Sequence, residues 1–306
     1  MDGQRLRIGL IGWGTVGSAF GELVRTGPLP LTLACLAVRD RGRRDLPKGV
    51  EIVAPEATLE GDVVVELAGG LDGPLTWARQ ALDAGKPYVT ANKALLATHG
   101  GELAERAERR VAALLGSASV GGGAPMIETV THLAATATIE RIRGIVNATT
   151  TYILSAMGEG RSYVEALREA QGAGFAEADP SFDVDGRDAA QKLAILASVA
   201  WGKWRPEMAV DTTGIVGLTV GAGETVRLVA EATKEAMSVT PMPIDPTDPL
   251  ARAAGIENVL EITLADASVF RVSGPGAGGR VTAGAVYADL ARLVAGERPI
   301  LFGSAS

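Results

Sequence analysis

The sequence is short of several features that mark particular classes of protein. It has one cysteine, Cys35, in 306 residues. That excludes a disulfide framework or a cysteine-rich zinc site and points to a reducing, cytoplasmic setting. Cys35 falls inside an apolar stretch and reads as a core residue rather than a nucleophile. There are two histidines. His99 reads as a loop residue beside glycines, and His132 sits on a helical stretch with no second ligand at metal spacing, so neither reads as a metal site. Aromatics make up 4% of the chain, too few for a base-stacking platform. The 29 basic residues are outnumbered by 36 acids, a net charge of −7, so there is no basic footprint for nucleic acid. No apolar run reaches the about 18 residues of a membrane span, and the first residues lack a signal-peptide layout. Lysine is scarce as well, with six against 23 arginines. Lysine can give up its proton when its surroundings lower its pKa and arginine cannot, so a lysine in a cleft is informative here.

What is present is a hydrophobic fraction of 47%, ample for a core, and a length of about two domains. Residues 7–11 read as a buried strand, 18–25 as a helix, 31–38 and 62–66 as strands, 74–85 as a helix and 88–90 as a strand. Alternation of this kind predicts a Rossmann-like, doubly wound parallel sheet. From about residue 125 the pattern changes. Amphipathic stretches, read as helices, cover 125–135, 162–172, 187–201 and 225–237, among strand-like runs at 138–147 and 258–264, and predict a second α+β domain. The boundaries expected are 1–125 and 126–280, with a final helical piece, about 281–306, returning to the first domain.

Three motifs carry chemistry. Gly12-Trp13-Gly14-Thr15-Val16-Gly17 lies between the first strand and the first helix. Gly12 allows the tight turn, Gly14 the approach of a pyrophosphate, and Gly17 close helix–strand packing, while the helix N-terminus favours an anion. At the end of the second strand stand Arg39, Asp40, Arg41, Arg43 and Arg44. An acid there favours the ribose hydroxyl of NAD and an arginine the 2′-phosphate of NADP. The cationic neighbourhood leans to NADP, with NAD open through Asp40, and a merely solvated loop is the plain alternative. Lys93, in Ala91-Asn92-Lys93-Ala94, follows the fourth strand at the edge where such sheets bind ligands; the alternative is an ordinary helix-start lysine. The third motif is the densest. Glu177, Asp179, Asp183, Asp185 and Asp188 fall within twelve residues, followed by Lys192 in an apolar helix. Asp188 and Lys192 are i,i+4 and share a face. A partly desolvated lysine beside carboxylates can move a proton to or from a substrate oxygen. A capped helix with a surface ion pair is the alternative, and calcium-loop spacing fails.

Taken in order, these segments resemble homoserine dehydrogenase. The resemblance runs through the glycine loop, Ala91–Ala97, Ala118–Pro125, Gly144–Leu154, the stretch from Ala170 to Lys192, and Gly274–Gly279 followed by Val281-Thr282-Ala283. It implies interconversion of L-aspartate 4-semialdehyde and L-homoserine with NAD(P)H, on the threonine and methionine route. It implies Lys192 as the acid–base residue and Lys93 as a cofactor and substrate contact, with Glu177, Asp188 and Asp183 binding a small amino-acid substrate. Gly174, Gly278 and the Ala68-Gly69 turn would line the cofactor. A homodimer built through the second domain is implied. Because the sequence ends at Ser306, the expectation is a short form without the regulatory domain of longer relatives, with weak or no cooperative threonine inhibition. Two departures stand out. The acid that helps hold a sodium ion in the family is replaced by Ser117, leaving backbone carbonyls near Val120, Gly122 and Ala124. The usual Asn-Gly-Thr-Thr-Asn is here Asn147-Ala148-Thr149-Thr150-Thr151. A non-catalytic NAD(P)-binding regulator on the same fold is the other functional reading.

Overall fold

A computed structural model describes residues 5–303 of the chain, other than 41, 43, 44, 254 and 256. Strand β1, Leu6–Ile11, is buried along its last four residues, as expected of a strand covered on both faces in a parallel sheet. It leads into helix α1, Thr15–Thr26. There follow β2 (Leu31–Ala37), β3 (Glu51–Val53), β4 (Val63–Glu66), α2 (Asp72–Asp83), β5 (Tyr88–Thr90), α3 (Lys93–Arg110) and β6 (Leu114–Leu115). The six strands form one sheet in the order β3-β2-β1-β4-β5-β6, paired in parallel throughout. The doubly wound sheet read from the sequence is therefore present. Its order steps away from β1 in both directions, which opens a crevice at the carboxyl ends of β1 and β4. Ile8, Leu10, Phe20, Leu36, Val65 and Val89 fill the core beneath it.

The chain divides into two compact units, one ending at Gly123 and resuming at Ala277, the other running from Ala124 to Gly276. The second contains α4 (Met126–Thr136), β7 (Ile139–Ile145), α5 (Ala148–Gly158), α6 (Tyr163–Gly172), α7 (Ser181–Val184), α8 (Arg187–Trp201), β8 (Asp211–Thr212), β9 (Val226–Thr233), β10 (Met237–Pro243), β11 (Glu257–Leu264) and β12 (Val269–Pro275). Its sheet has the order β12-β11-β7-β9-β10-β8. The long pairs are antiparallel. Helices α4, α5 and α8 pack within this unit, and α8 is buried along nearly its whole length from Asp188 to Ala200.

After Gly276 the chain resumes the first unit with α9, Gly279–Val294. A Cβ on Gly279 would stand 2.5 Å from Thr15 Cγ2, so only glycine lets the start of α9 approach the start of α1. Further on, Ile300 bridges Leu114 in parallel, and Leu301 N donates to Leu114 O at 2.9 Å.

Two sequence expectations are corrected. The stretch 225–237 is not a helix; it contains β9 and the start of β10. β9 is sandwiched between β7 and β10 and buried at its first five residues. Burial on both faces erases the two-residue alternation that marks a strand, and Ala and Glu within it imitate a helix. His99 lies in α3, not in a loop, because Gly100 and Gly101 beside it are buried helical positions. Among the described residues no helix is long and apolar enough to cross a membrane.

Candidate active site

The crevice of the first unit is a cavity of about 720 Å³ lined by Gly12, Trp13, Gly14, Arg39, Asp40, Pro55, Ala68, Gly69 and Trp77, among others. Its glycines are explained by their surroundings. Gly12 has φ +102°, and a Cβ there would lie 2.7 Å from the Leu67 carbonyl. A Cβ on Gly17 would lie 2.3 Å from Gly12 O. The position of a Gly14 Cβ is open to 4 Å, which is the space a phosphate needs to reach the backbone. Gly14 also caps α1, with no side-chain cap and no acid in the first turn, so the positive end of the helix is left for an anion.

Opposite this loop, the Ala68-Gly69 turn is held by Glu66, a fully buried carboxylate. Glu66 Oε1 accepts from Ala68 N at 2.7 Å and Gly69 N at 2.8 Å, and Oε2 accepts from Thr90 Oγ1 at 2.7 Å. Asn92 Nδ2 donates to Gly70 O at 2.7 Å while its Oδ1 accepts from Leu95 N at 3.1 Å. The Asn92 side chain thereby couples this turn to the start of α3, where Lys93 is the first residue. Asp40 Oδ1 accepts from Gly42 N at 2.9 Å in a local turn, and Arg39 lines the cavity. Arg41, Arg43 and Arg44 lie outside the described residues. Val16 and Thr15 follow Gly14 in the first turn of α1, and Gly278, with φ +140°, caps α9. Cys35 is buried, and burial foremost, with Glu60 and Glu51 adding, raises its thiol above the ordinary value, which removes it as a nucleophile.

In the second unit the acidic motif folds around one lysine. Gly186, with φ +83°, caps α8, and Asp188 and Lys192 then fall one turn apart. Lys192 Nζ donates to Asp188 Oδ2 at 2.7 Å and to Val146 O at 2.6 Å. The pair is largely shielded, with 14% and 9% of the two side chains exposed, so it is no surface ion pair. Asn147 Nδ2 donates to Asp183 Oδ1 at 2.7 Å and to Asp188 Oδ2 at 2.8 Å. Thr149 Oγ1 reaches Asp183 Oδ2 at 2.9 Å and Phe175 O at 2.7 Å. Asp183, Asp188 and Lys192 are thus brought together. Glu177 is not bonded into the cluster. It sits in an exposed loop after Gly174, which has φ +78°, and that loop is steadied by the stack of Phe175 on Tyr152, with ring centroids 4.7 Å apart. A largely shielded lysine held against a carboxylate, as Lys192 is, has the chemistry to move a proton, and a glycine-lined cavity on a doubly wound sheet is the kind of place that takes a dinucleotide.

A family model described as homoserine dehydrogenase matches residues 125–291, and one described as homoserine dehydrogenase, NAD binding domain, matches residues 12–115. The chain belongs to the homoserine dehydrogenase family. It is 37% identical over 318 residues to the homoserine dehydrogenase of Synechocystis, covering 94% of this chain and 73% of that one. With the Bacillus subtilis homoserine dehydrogenase the identity is 33%, over 96% and 74% of the two chains. The fold matches the crystal structure of a homoserine dehydrogenase from Thiobacillus denitrificans with a TM-score of 0.91 and 30% identity, covering 98% and 77%. It also matches a hyperthermophilic archaeal homoserine dehydrogenase in complex with NADPH, with a TM-score of 0.85 and 29% identity, covering 96% and 99%.

Against the sodium site expected of a homoserine dehydrogenase, the donor set does not fit. Ser117 Oγ donates to Asp289 Oδ1 at 2.7 Å and Ser117 N donates to Asp289 Oδ2 at 3.0 Å. The Ala124 carbonyl accepts from Met126 N at 2.7 Å. Among the described residues no group of three or more His, Cys, Asp or Glu could hold a metal. Val120 and Gly122 would offer backbone carbonyls alone, and the nearby carboxylate of Asp289 is taken up by Ser117.

Sequence reasoning missed Glu66, Asn147, Pro55 and Trp77. Glu66 had a signal, being a lone acid at the end of a fully apolar strand. Asn147, directly before a threonine run, had the signature of an N-cap. Pro55 and Trp77 had none, since only the fold carries them to the cavity.

Proposed function

We propose that the protein is an NADP(H)-preferring homoserine dehydrogenase that interconverts L-aspartate 4-semialdehyde and L-homoserine. The carrying observation is Lys192. Two of the three ammonium hydrogens are committed to Asp188 and Val146, which leaves one to meet a substrate oxygen. When bound, the nicotinamide supplies or accepts a hydride at the substrate carbon. Lys192 gives its remaining proton to the developing alkoxide in reduction and takes it back in oxidation, while Asp188 holds the ammonium in place. Glu177, whose carboxylate stands outside the Asp183–Asp188–Lys192 cluster, and Asp188 meet the amino group of the substrate, with Asp183 in the same network. Lys93 contacts cofactor and substrate from the start of α3.

For the cofactor, Gly12 to Gly17, the Ala68-Gly69 turn, Gly174 and Gly278 hold the backbone-facing part, and Arg39 meets the 2′-phosphate. The Asp40 oxygen bonded to Gly42 N supports this reading over one in which Asp40 claims the ribose. A non-catalytic cofactor-binding regulator has no use for a shielded lysine with one free hydrogen.

The test is oxidation of NADPH and of NADH with aspartate semialdehyde, beside other small aldehydes. Turnover is expected for the semialdehyde, with tighter NADPH than NADH binding, and Arg39→Ala is expected to weaken NADPH more than NADH at fixed salt. Absence of turnover with the semialdehyde would overturn the assignment. Tighter NADH than NADPH binding would overturn the cofactor preference alone. The proposal extends to a homodimer formed through the second unit. Light scattering should then give about twice the chain mass of 31.4 kDa, and a monomer would reject it.

A further inference from the structure

We propose that Asn147 is a positioning residue for proton transfer: its carboxamide holds Asp183 and Asp188 and, through Asp188, aims Lys192. This rests on the reading of Lys192 as the proton-transfer group. Asn147 is 4% exposed, and both ends of its side chain are occupied. Its Oδ1 accepts from Thr150 N at 2.8 Å and Thr150 Oγ1 at 3.0 Å, capping α5. That cap decides which end of the amide faces the acids. A flip would break it and turn an oxygen toward two carboxylates. The Nδ2 group has two hydrogens, and they go to Asp183 Oδ1 and Asp188 Oδ2 at 2.7 and 2.8 Å.

Asp188 Oδ2 is the same oxygen that accepts from Lys192 Nζ. The residue before Asn147 supplies the other acceptor for that ammonium, the Val146 carbonyl. Two consecutive residues therefore set both the lysine and its carboxylate. The free hydrogen of Lys192 can point in one direction only while Asp188 stays where Asn147 keeps it. Asp183 is fixed at both oxygens by the same turn, through Asn147 and Thr149. Misplacing a reacting group by about 1 Å can cost about 10²-fold in rate.

The test separates the donor from the cap. Asn147→Asp and Asn147→Ser both keep an oxygen that caps a helix well, and both remove the amide donor. The first adds a charge and the second does not. Each is expected to lower the melting temperature, because Asp183 and Asp188 lose a buried donor, and to lower kcat about 10²-fold at a temperature where the variant is still folded, while NADPH affinity, read by tryptophan fluorescence, stays at the wild-type value. In a Lys192→Ala background the same substitutions should cost less than about 3-fold more, because groups acting as a unit are not additive. Wild-type kcat in Asn147→Ser, or losses that multiply in the double variants, would overturn the proposal. If the Asp variant does not fold, the Ser variant decides. Lys192→Ala turning over at the wild-type rate would instead remove the reading of Lys192, and the proposal with it.

Discussion

Lys192 is held by two acceptors at 2.6 and 2.7 Å, so its role can be tested by changing what it donates rather than where it sits. Lys192→Ala is expected to lower kcat by about 10²–10⁴-fold, the scale of a positioned acid–base group, with cofactor binding intact. Lys192→Arg should rescue little, since the guanidinium keeps its charge but does not exchange the proton. Near-wild-type turnover in either variant would exclude Lys192 from proton transfer. At this scale the sequence showed what was local. Asp188 and Lys192 were legible because i,i+4 spacing in an apolar helix forces them onto one shielded face. Asn147 was not singled out, because its partners Asp183 and Asp188 come from a different turn and helix far along the chain, and only the fold joins them. Glu66 likewise bonds to Thr90, across a strand pairing that the sequence does not state.

Helices α2 and α3 show how two elements are fastened by charge. Arg79 reaches both oxygens of Glu102 at 2.7 Å, and Arg106 Nε donates to the same carboxylate at 2.9 Å. The Arg79 hydrogen bonds foremost, with Arg106 adding and partial burial opposing, hold the Glu102 carboxyl at about 2 against an ordinary 4.5. A depressed folded-state pKa stabilises the protein above the unfolded value, and that stability is lost as pH falls from about 4.5 toward 2. The group is about a third exposed, so solvent screening leaves about 1 kcal/mol. Glu102→Gln should therefore cost about 1 kcal/mol at pH 7 in urea denaturation, and the gap to wild type should narrow by pH 3. A gap independent of pH would mean that the charge is not what fastens the helices. Element by element, legibility followed burial pattern. Tyr88–Thr90 was read to the residue. β12 was missed because it is an edge strand, exposed along most of its length and interrupted by Gly274 and Pro275. Helix α5 was missed because its opening Thr149-Thr150-Thr151 run is β-branched and disfavours a helix, and the Asn147 cap outweighs that preference.

On the scale of the whole molecule, the first unit is discontinuous in sequence. The buried Asp289 on α9 takes two hydrogen bonds from Ser117, at 2.7 and 3.0 Å. Asp289→Ala would leave the Ser117 amide and hydroxyl buried without these acceptors, and should cost about 3 kcal/mol. Ser117→Ala, which keeps the backbone bond, should cost roughly half as much. Equal effects in a thermal melt would show that the backbone bond contributes nothing. The doubly wound sheet was legible from strand and helix alternation. The Ser117–Asp289 contact was not, since it spans 172 positions and neither residue carries a pattern of its own. This arrangement also bears on how the protein is made. Synthesis runs from one end, so the contiguous stretch from Ala124 to Gly276 has left the ribosome in full while the first unit still lacks α9. Helix α1 meanwhile has no α9 to bury its apolar face, and β6 has no Ile300 beside it. The stretch up to Gly123 thus emerges before the second unit but completes its fold after it, and the nascent chain carries the first unit without α9 until the second unit has been made.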